Sequence, residues 1–175
     1  YVYVLKINGD GQLLWEKSYK GSNGSSIIEV GNNKFIFLSD IQNSFNYSRL
    51  TEINENGEVT STTDFTKNGK HVTGEQIIKS NDDKIILSGS INGSQGYLVK
   101  YSSTMNFESE LLINSMTNIN SMIMDSNNDI LVIGNSGGGP NSKTVLTMTS
   151  SNSEIIWTYV HNTNSYSVGY SVVQT

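Results

Sequence analysis

The chain has 175 residues, 35% of them hydrophobic and 15% charged, with 16 glycines, one proline, no cysteine and a net charge of −5. A length of this order supports one domain with a real core, while the abundance of Gly, Asn, Ser and Thr suits short strands joined by many turns and argues against long helices. The negative charge, without any Lys/Arg cluster, argues against a nucleic-acid surface. The missing cysteines exclude disulfides and thiolate metal sites, and no apolar run reaches the ~20 residues of a membrane-spanning helix.

The first predicted strand, Val4-Leu5-Lys6-Ile7, leads through Asn8-Gly9-Asp10-Gly11 into Leu13-Leu14-Trp15-Glu16. Asn-Gly and Asp-Gly supply the positive φ that tight hairpins use. Tyr1 already lies inside the alternating pattern and no signal-peptide pattern opens the chain, so residues before Tyr1 are expected to lie outside this sequence. A third strand, Ile27-Ile28-Glu29-Val30, is followed by Asn32-Asn33 and the apolar run Phe35-Ile36-Phe37-Leu38. An uninterrupted apolar run of this length reads as a strand buried on both faces.

The same order then recurs. Arg49 to Ile53, Leu98 to Tyr101 and Val145 to Met148 repeat the first strand; with Ile7, Ile53, Tyr101 and Met148 taken as equivalent, the spacings are 46, 48 and 47 residues. The hairpin recurs as Asn54-Glu55-Asn56-Gly57 before Val59, Ser102 to Asn106 before Phe107, and Ser150 to Ser153 before Ile155-Ile156-Trp157. Its turn chemistry weakens along the chain. Third and fourth strands recur as Gln76 to Lys79 and Ile85 to Ser88, as Ser121 to Met124 and Ile130 to Ile133, and, for the third strand alone, as Ser171 to Gln174. Fifteen strands result: two over residues 1–20, four in each of the repeats 21–66, 67–113 and 114–160, and one in 161–175.

A period near 47 residues with four strands per unit is the signature of an all-β propeller, in which stacked four-stranded antiparallel blades bury one another's faces. A cut at both ends predicts an incomplete arc of a larger ring, although fifteen strands fall only one short of a four-bladed ring. A β-sandwich needs no such constant period.

The run Lys6-Ile7-Asn8-Gly9-Asp10-Gly11, followed by Trp15-Glu16-Lys17-Ser18-Tyr19-Lys20-Gly21-Ser22, resembles the repeat of large secreted bacterial propeller proteins of the Bacteroidetes, many exported by the type IX route. Trp157-Thr158-Tyr159 with Gly169-Tyr170-Ser171-Val172-Val173-Gln174-Thr175 looks like the same unit. Ser61 and Glu110 stand near the position of the tryptophan in the middle units. The resemblance implies a non-catalytic scaffold, extracellular or at the cell surface with the periplasm as the alternative. Its partners would be proteins of the bacterial envelope, for example a type IX secretion-associated complex. The segment from Asp10 to Trp15 is also similar to the docking motif of quinoprotein-like propellers, whose dehydrogenases pair calcium with vicinal cysteines; this chain has no cysteine.

No catalytic, cofactor or metal residues are assigned from the sequence. His71 and His161 fall in different units without a carboxylate at ligand spacing. Asp82-Asp83 and Asp125 to Asp129 lack the spacing of an EF-hand and read as turns. Gly137-Gly138-Gly139-Pro140 lacks the Lys-Ser/Thr of a phosphate loop and reads as a flexible connection. Four aromatics remain as candidate binding residues: Trp15, Tyr19, Trp157 and Tyr159. Each suits either packing between repeats or an exposed surface that stacks on a glycan or meets a protein.

Overall fold

A computed structural model describes every residue except 32, 68, 163, 164, 174 and 175. Its strands are β1 (Val2–Ile7), β2 (Leu13–Tyr19), β3 (Asn23–Gly31), β4 (Lys34–Ile41), β5 (Tyr47–Ile53), β6 (Val59–Phe65), β7 (Val72–Lys79), β8 (Ile85–Ile91), β9 (Gln95–Tyr101), β10 (Phe107–Ile113), β11 (Asn118–Met124), β12 (Ile130–Ser136), β13 (Lys143–Thr149) and β14 (Ile155–Val160). The chain is all-β. β1 and β2 form a hairpin, and β3–β6, β7–β10 and β11–β14 form three open, four-stranded antiparallel meanders. Among the described residues the one helical turn is the 3-10 segment Gly139–Asn141 in the β12–β13 connection, with Pro140 in its first turn.

The apolar runs explain the stacking. Along β4, Ile36 and Leu38 face the next sheet, where they meet Ile77, Leu87 and Tyr97, whereas Phe37 faces back to Val2 and Ile53. Along β8, Ile85 and Leu87 face the preceding sheet and Ile86 faces Met122 and Val132 of the following one. Successive side chains on a strand point to opposite faces, so a continuous apolar run stabilises only a strand covered on both sides. All seven residues of β8 are buried.

Each meander repeats two irregularities. The first strand bulges against the second, leaving Ser25, Glu75 and Asn120 without partners across the ladder. Two of these reach the next unit: Ser25 Oγ donates to the Gly74 carbonyl at 3.0 Å and Asn120 Nδ2 to that of Gly169 at 2.7 Å. One residue further on, the Ile77 N–H donates to Ser26 Oγ at 3.2 Å and the Met122 N–H to Gln76 Oε1 at 2.7 Å. These bonds tie β3 to β7, β7 to β11, and β11 to the segment at Gly169.

The second bulge lies beside the hairpin that joins strands three and four, and it sets the true register. Ile7 pairs with Leu13, Ile53 with Val59, Tyr101 with Phe107 and Thr149 with Ile155. The fourth equivalent of Ile7 is therefore Thr149, not Met148, and the spacings become 46, 48 and 48 residues. By the same register the tryptophan positions are Trp15, Ser61, Ser109 and Trp157, so Ser109 replaces the Glu110 of the sequence reading.

The predicted fifteenth strand does not form over Ser171 to Val173; Gln174 and Thr175, like Asn32 of the predicted turn, lie outside the described residues. A strand needs a neighbour to share its backbone bonds with. Residues 167–169 are instead held by single contacts. The Ser167 N–H donates to the Ser142 carbonyl, Ser167 Oγ accepts from the Thr144 N–H, and Gly169 is buried against Ile133 and Thr144.

Candidate functional site

The meanders have two unlike ends. At one end, six five-residue turns share one construction. Their first residues, Asn8, Asn54, Ser80, Ser102, Asp125 and Ser150, each accept a backbone bond from the residue three places on and donate one to the carbonyl four places on. In each the side-chain oxygen of the first residue also accepts the N–H four places on. The fourth residue has positive φ: Gly11, Gly57, Asp83, Met105, Asn128 and Ser153. Asn, Asp and Ser side chains favour such local bonds, and they hold a geometry that glycine adopts without strain. The hairpin geometry thus persists where Gly gives way to Met105 and Ser153.

This also accounts for the acidic turns. Asp125 Oδ1 caps the N–H groups of Asn127 and Asp129, Asp129 Oδ1 accepts from Ser151, and Asp82 is bonded by Ser80 Oγ and the Lys84 ammonium. Among the described residues, no three His, Asp or Glu side chains are grouped to hold a metal ion.

The other end is irregular. Strands two and three are joined by residues 42–46, 92–94 and 137–142 in the successive meanders, and the sheets by 66–71 and 114–117. His71 lies here. Its Nδ1 accepts from the Asn46 N–H at 3.2 Å and its ring tilts against Phe45 at 5.8 Å, while its backbone N–H donates to Asn92 Oδ1. The His161 N–H donates to the Thr144 carbonyl, far from His71 in the strand order.

Beneath these loops lies a buried polar cluster that the sequence reading missed. Asp40 is 6% exposed; its Oδ1 accepts from Ser48 Oγ at 3.2 Å and from the Gly74 N–H at 3.0 Å. Burial raises its pKa, and burial followed by repulsion from Asp40 raises that of Glu75, the bulged residue of β7. Tyr97, fully buried, donates to the Thr73 carbonyl at 3.1 Å, and burial pushes its phenol far upward. The only sign of Asp40 in the sequence is an acidic residue ending an apolar strand, and its partners lie 8 and 34 positions away.

The four predicted aromatics separate into two pairs. Trp15 is half-buried against the β3–β6 sheet, and its indole N–H donates to the Glu55 carbonyl at 2.9 Å. Tyr19 tilts onto Phe37 at 4.8 Å and donates to the Gly57 carbonyl at 2.8 Å. Both lock the first hairpin onto the next sheet. Trp157 and Tyr159 lie on β14, 45% and 56% exposed. Trp157 shares a cleft of about 310 Å³ with Asp125, Asp129, Leu131, Met148 and Val173.

No model of a protein family matches the sequence, and no curated protein matches it significantly. Solved structures do resemble the fold. One titled as the eukaryotic initiation factor is 9% identical with a TM-score of 0.55, over 85% of this chain and 34% of its own, so this chain spans about a third of that protein. A protein of unknown function from Bacteroides caccae is 12% identical at a TM-score of 0.37, over 93% of this chain and 76% of its own. The tail fiber of Staphylococcus aureus phage P68 is 12% identical at 0.33, over 83% and 40%.

Proposed function

We propose that the sheets are consecutive blades of a β-propeller, and that the protein is a non-catalytic, secreted or cell-surface scaffold whose irregular loop end meets a protein of the bacterial envelope. The observation that carries this reading is the contrast between the two ends. Six of the seven strand-joining turns at one end are built alike, the turn between β3 and β4 being the exception, whereas the connections at the other end differ in length and composition. Binding surfaces on rigid scaffolds are built from such loops.

The propeller reading is supported by the hydrogen bonds that join β3 to β7 and β7 to β11 at intervals of 46 to 51 residues, and by the bond from β11 to Gly169, 49 residues on. It is supported also by the two-sided burial of β4 and β8. In this reading Trp15 and Tyr19 are blade-to-blade fasteners, and Trp157, which lines a cleft with Val173 as Trp15 lines one with Ile28, occupies the same kind of face.

The test replaces residues 43–46 by Gly-Ser linker in the intact protein and, separately, Asn127-Asn128 by Asp-Gly at the turn end. Purification from the native envelope should lose a stoichiometric partner with the first variant and keep it with the second. A partner lost only with the turn-end variant would overturn the assignment.

A further inference from the structure

Residues 43–46 together with residues 66, 67, 69 and 70 border an open surface cleft of about 470 Å³, lined by Asn43, Phe45, Tyr47, Asp64, Lys67 and Lys70 among others. The volume is within the range of small-molecule sites. Its lining is of mixed character. Phe45 is 47% exposed, and its ring is braced from one side by His71. The other wall is a fixed polar unit: Arg49 Nε and Nη2 donate to the two oxygens of Asp64 at 2.6 and 2.9 Å, and Nη2 also donates to the Tyr47 hydroxyl at 3.3 Å. The Arg49 guanidinium lies 5.7 Å from the centre of the Tyr47 ring.

This unit is preorganised. Each Asp64 oxygen takes one bond from Arg49 and retains a lone pair for a hydroxyl donor. The Asn43 side-chain oxygen is occupied by the Phe45 N–H at 2.8 Å, which leaves the amide nitrogen to donate. Lys67 is paired with Glu110, whereas Lys70 has no ion pair among the described residues. A lysine without an ion pair among the described residues, lining the same cleft as a neutralised carboxylate, makes the cleft locally basic on a chain of net charge −5.

We infer that the cleft binds a saccharide bearing a carboxylate. A sugar ring has an apolar C–H face for Phe45 and a rim of hydroxyls for Asp64, Tyr47 and the Asn43 amide, and its carboxylate pairs with Lys70. Among the described residues a phosphate chain would find one cation without an ion pair and a carboxylate in its path, which disfavours it. A purely apolar ligand would strip water from Asp64 and Lys70 without replacing their bonds. The inference is local to these two loops and does not depend on the propeller reading.

The experiment is an array of neutral, uronate-containing and sialate-containing glycans probed with the intact protein, with Phe45→Ala and with Lys70→Gln, each variant checked for unchanged circular dichroism. The wild type binds carboxylated glycans. Phe45→Ala weakens binding by about tenfold or more, and Lys70→Gln brings carboxylated glycans down about tenfold toward neutral ones of the same length, the loss of one paired charge. Absence of any bound glycan, a preference for neutral glycans, or binding that survives both substitutions overturns the inference.

Discussion

Replacing Gly74 by alanine probes how closely successive sheets approach. A Cβ at this position would stand 2.8 and 2.9 Å from the two terminal carbons of Leu38 and 3.0 Å from Ser48 Oγ. Leu38 and Ser48 are both fully buried, so relieving the overlap means shifting packed atoms, at a cost of about 1–3 kcal/mol. The Gly74 N–H also donates to Asp40 Oδ1, and a shift that breaks this bond costs a buried carboxylate one donor, a further ~1–3 kcal/mol. Against this, restricting the unfolded chain contributes ~0.4–1 kcal/mol of stability. The expected net loss is about 2 kcal/mol or more, read by urea unfolding followed with circular dichroism. A second-site test sharpens the argument: in a Leu38→Ala background the space exists, and the added cost of Gly74→Ala falls below about 1 kcal/mol. Gly138→Ala, with open space around its Cβ, stays within about 0.5 kcal/mol of wild type. Wild-type stability for Gly74→Ala, or strict additivity with Leu38→Ala, would refute the reasoning.

Trp15→Phe forfeits the bond to the Glu55 carbonyl and should lower stability by about 1 kcal/mol. Trp157→Phe at the equivalent but 45% exposed position should change it by less than about 0.5 kcal/mol, and equal effects in thermal unfolding would contradict the difference between the two. Asp83 holds φ at +61° on an exposed turn, a strain of ~1–2 kcal/mol for an L-residue that glycine avoids; the lost exposed pair with Lys79 and the freer unfolded chain offset most of it, so Asp83→Gly should change stability by less than about 1 kcal/mol, and a loss of about 2 kcal/mol by the same assay would count against that strain. The raised pKa values of Asp40 and Glu75 mean that the folded state binds more protons than the unfolded one. Stability from this source is present below the ordinary carboxylate pKa, ~4, and is lost as pH rises through the raised values. The stability of Asp40→Asn relative to wild type should therefore grow with pH above ~4 and then level off; a difference independent of pH would contradict it.

Much of the fold was legible because the repeat writes each element several times. Apolar runs such as Ile85 to Ser88 announce strands covered on both faces, and the Asn-rich segments announce the turns. The register error at Met148 arose because a bulge adds a residue to one strand only, which a count along the chain cannot reveal. The last predicted strand failed for a different reason: Val172-Val173 carries strand chemistry, but pairing depends on a neighbour. The candidate site was far less visible. Trp15 and Trp157 are the same residue at the same repeat position, and only the neighbouring carbonyl of Glu55 separates a fastener from an exposed ring. The cluster around Asp40 draws its side chains and backbone groups from strands β4, β5, β7 and β9, and the cleft beside Phe45 from two connections and the strand ends beside them, without periodicity to betray either.

The most direct test of the central claim is cross-linking mass spectrometry on the intact protein in its native complex. Lys20, Lys67, Lys70 and Lys143 stand at the irregular loop end, whereas Lys6, Lys34, Lys79, Lys84 and Lys100 stand at or near the end with the repeated turns. A partner that reads the variable loops gives cross-links concentrated on the first group. Cross-links concentrated on the second group, with none at Lys67 or Lys70, would contradict the account.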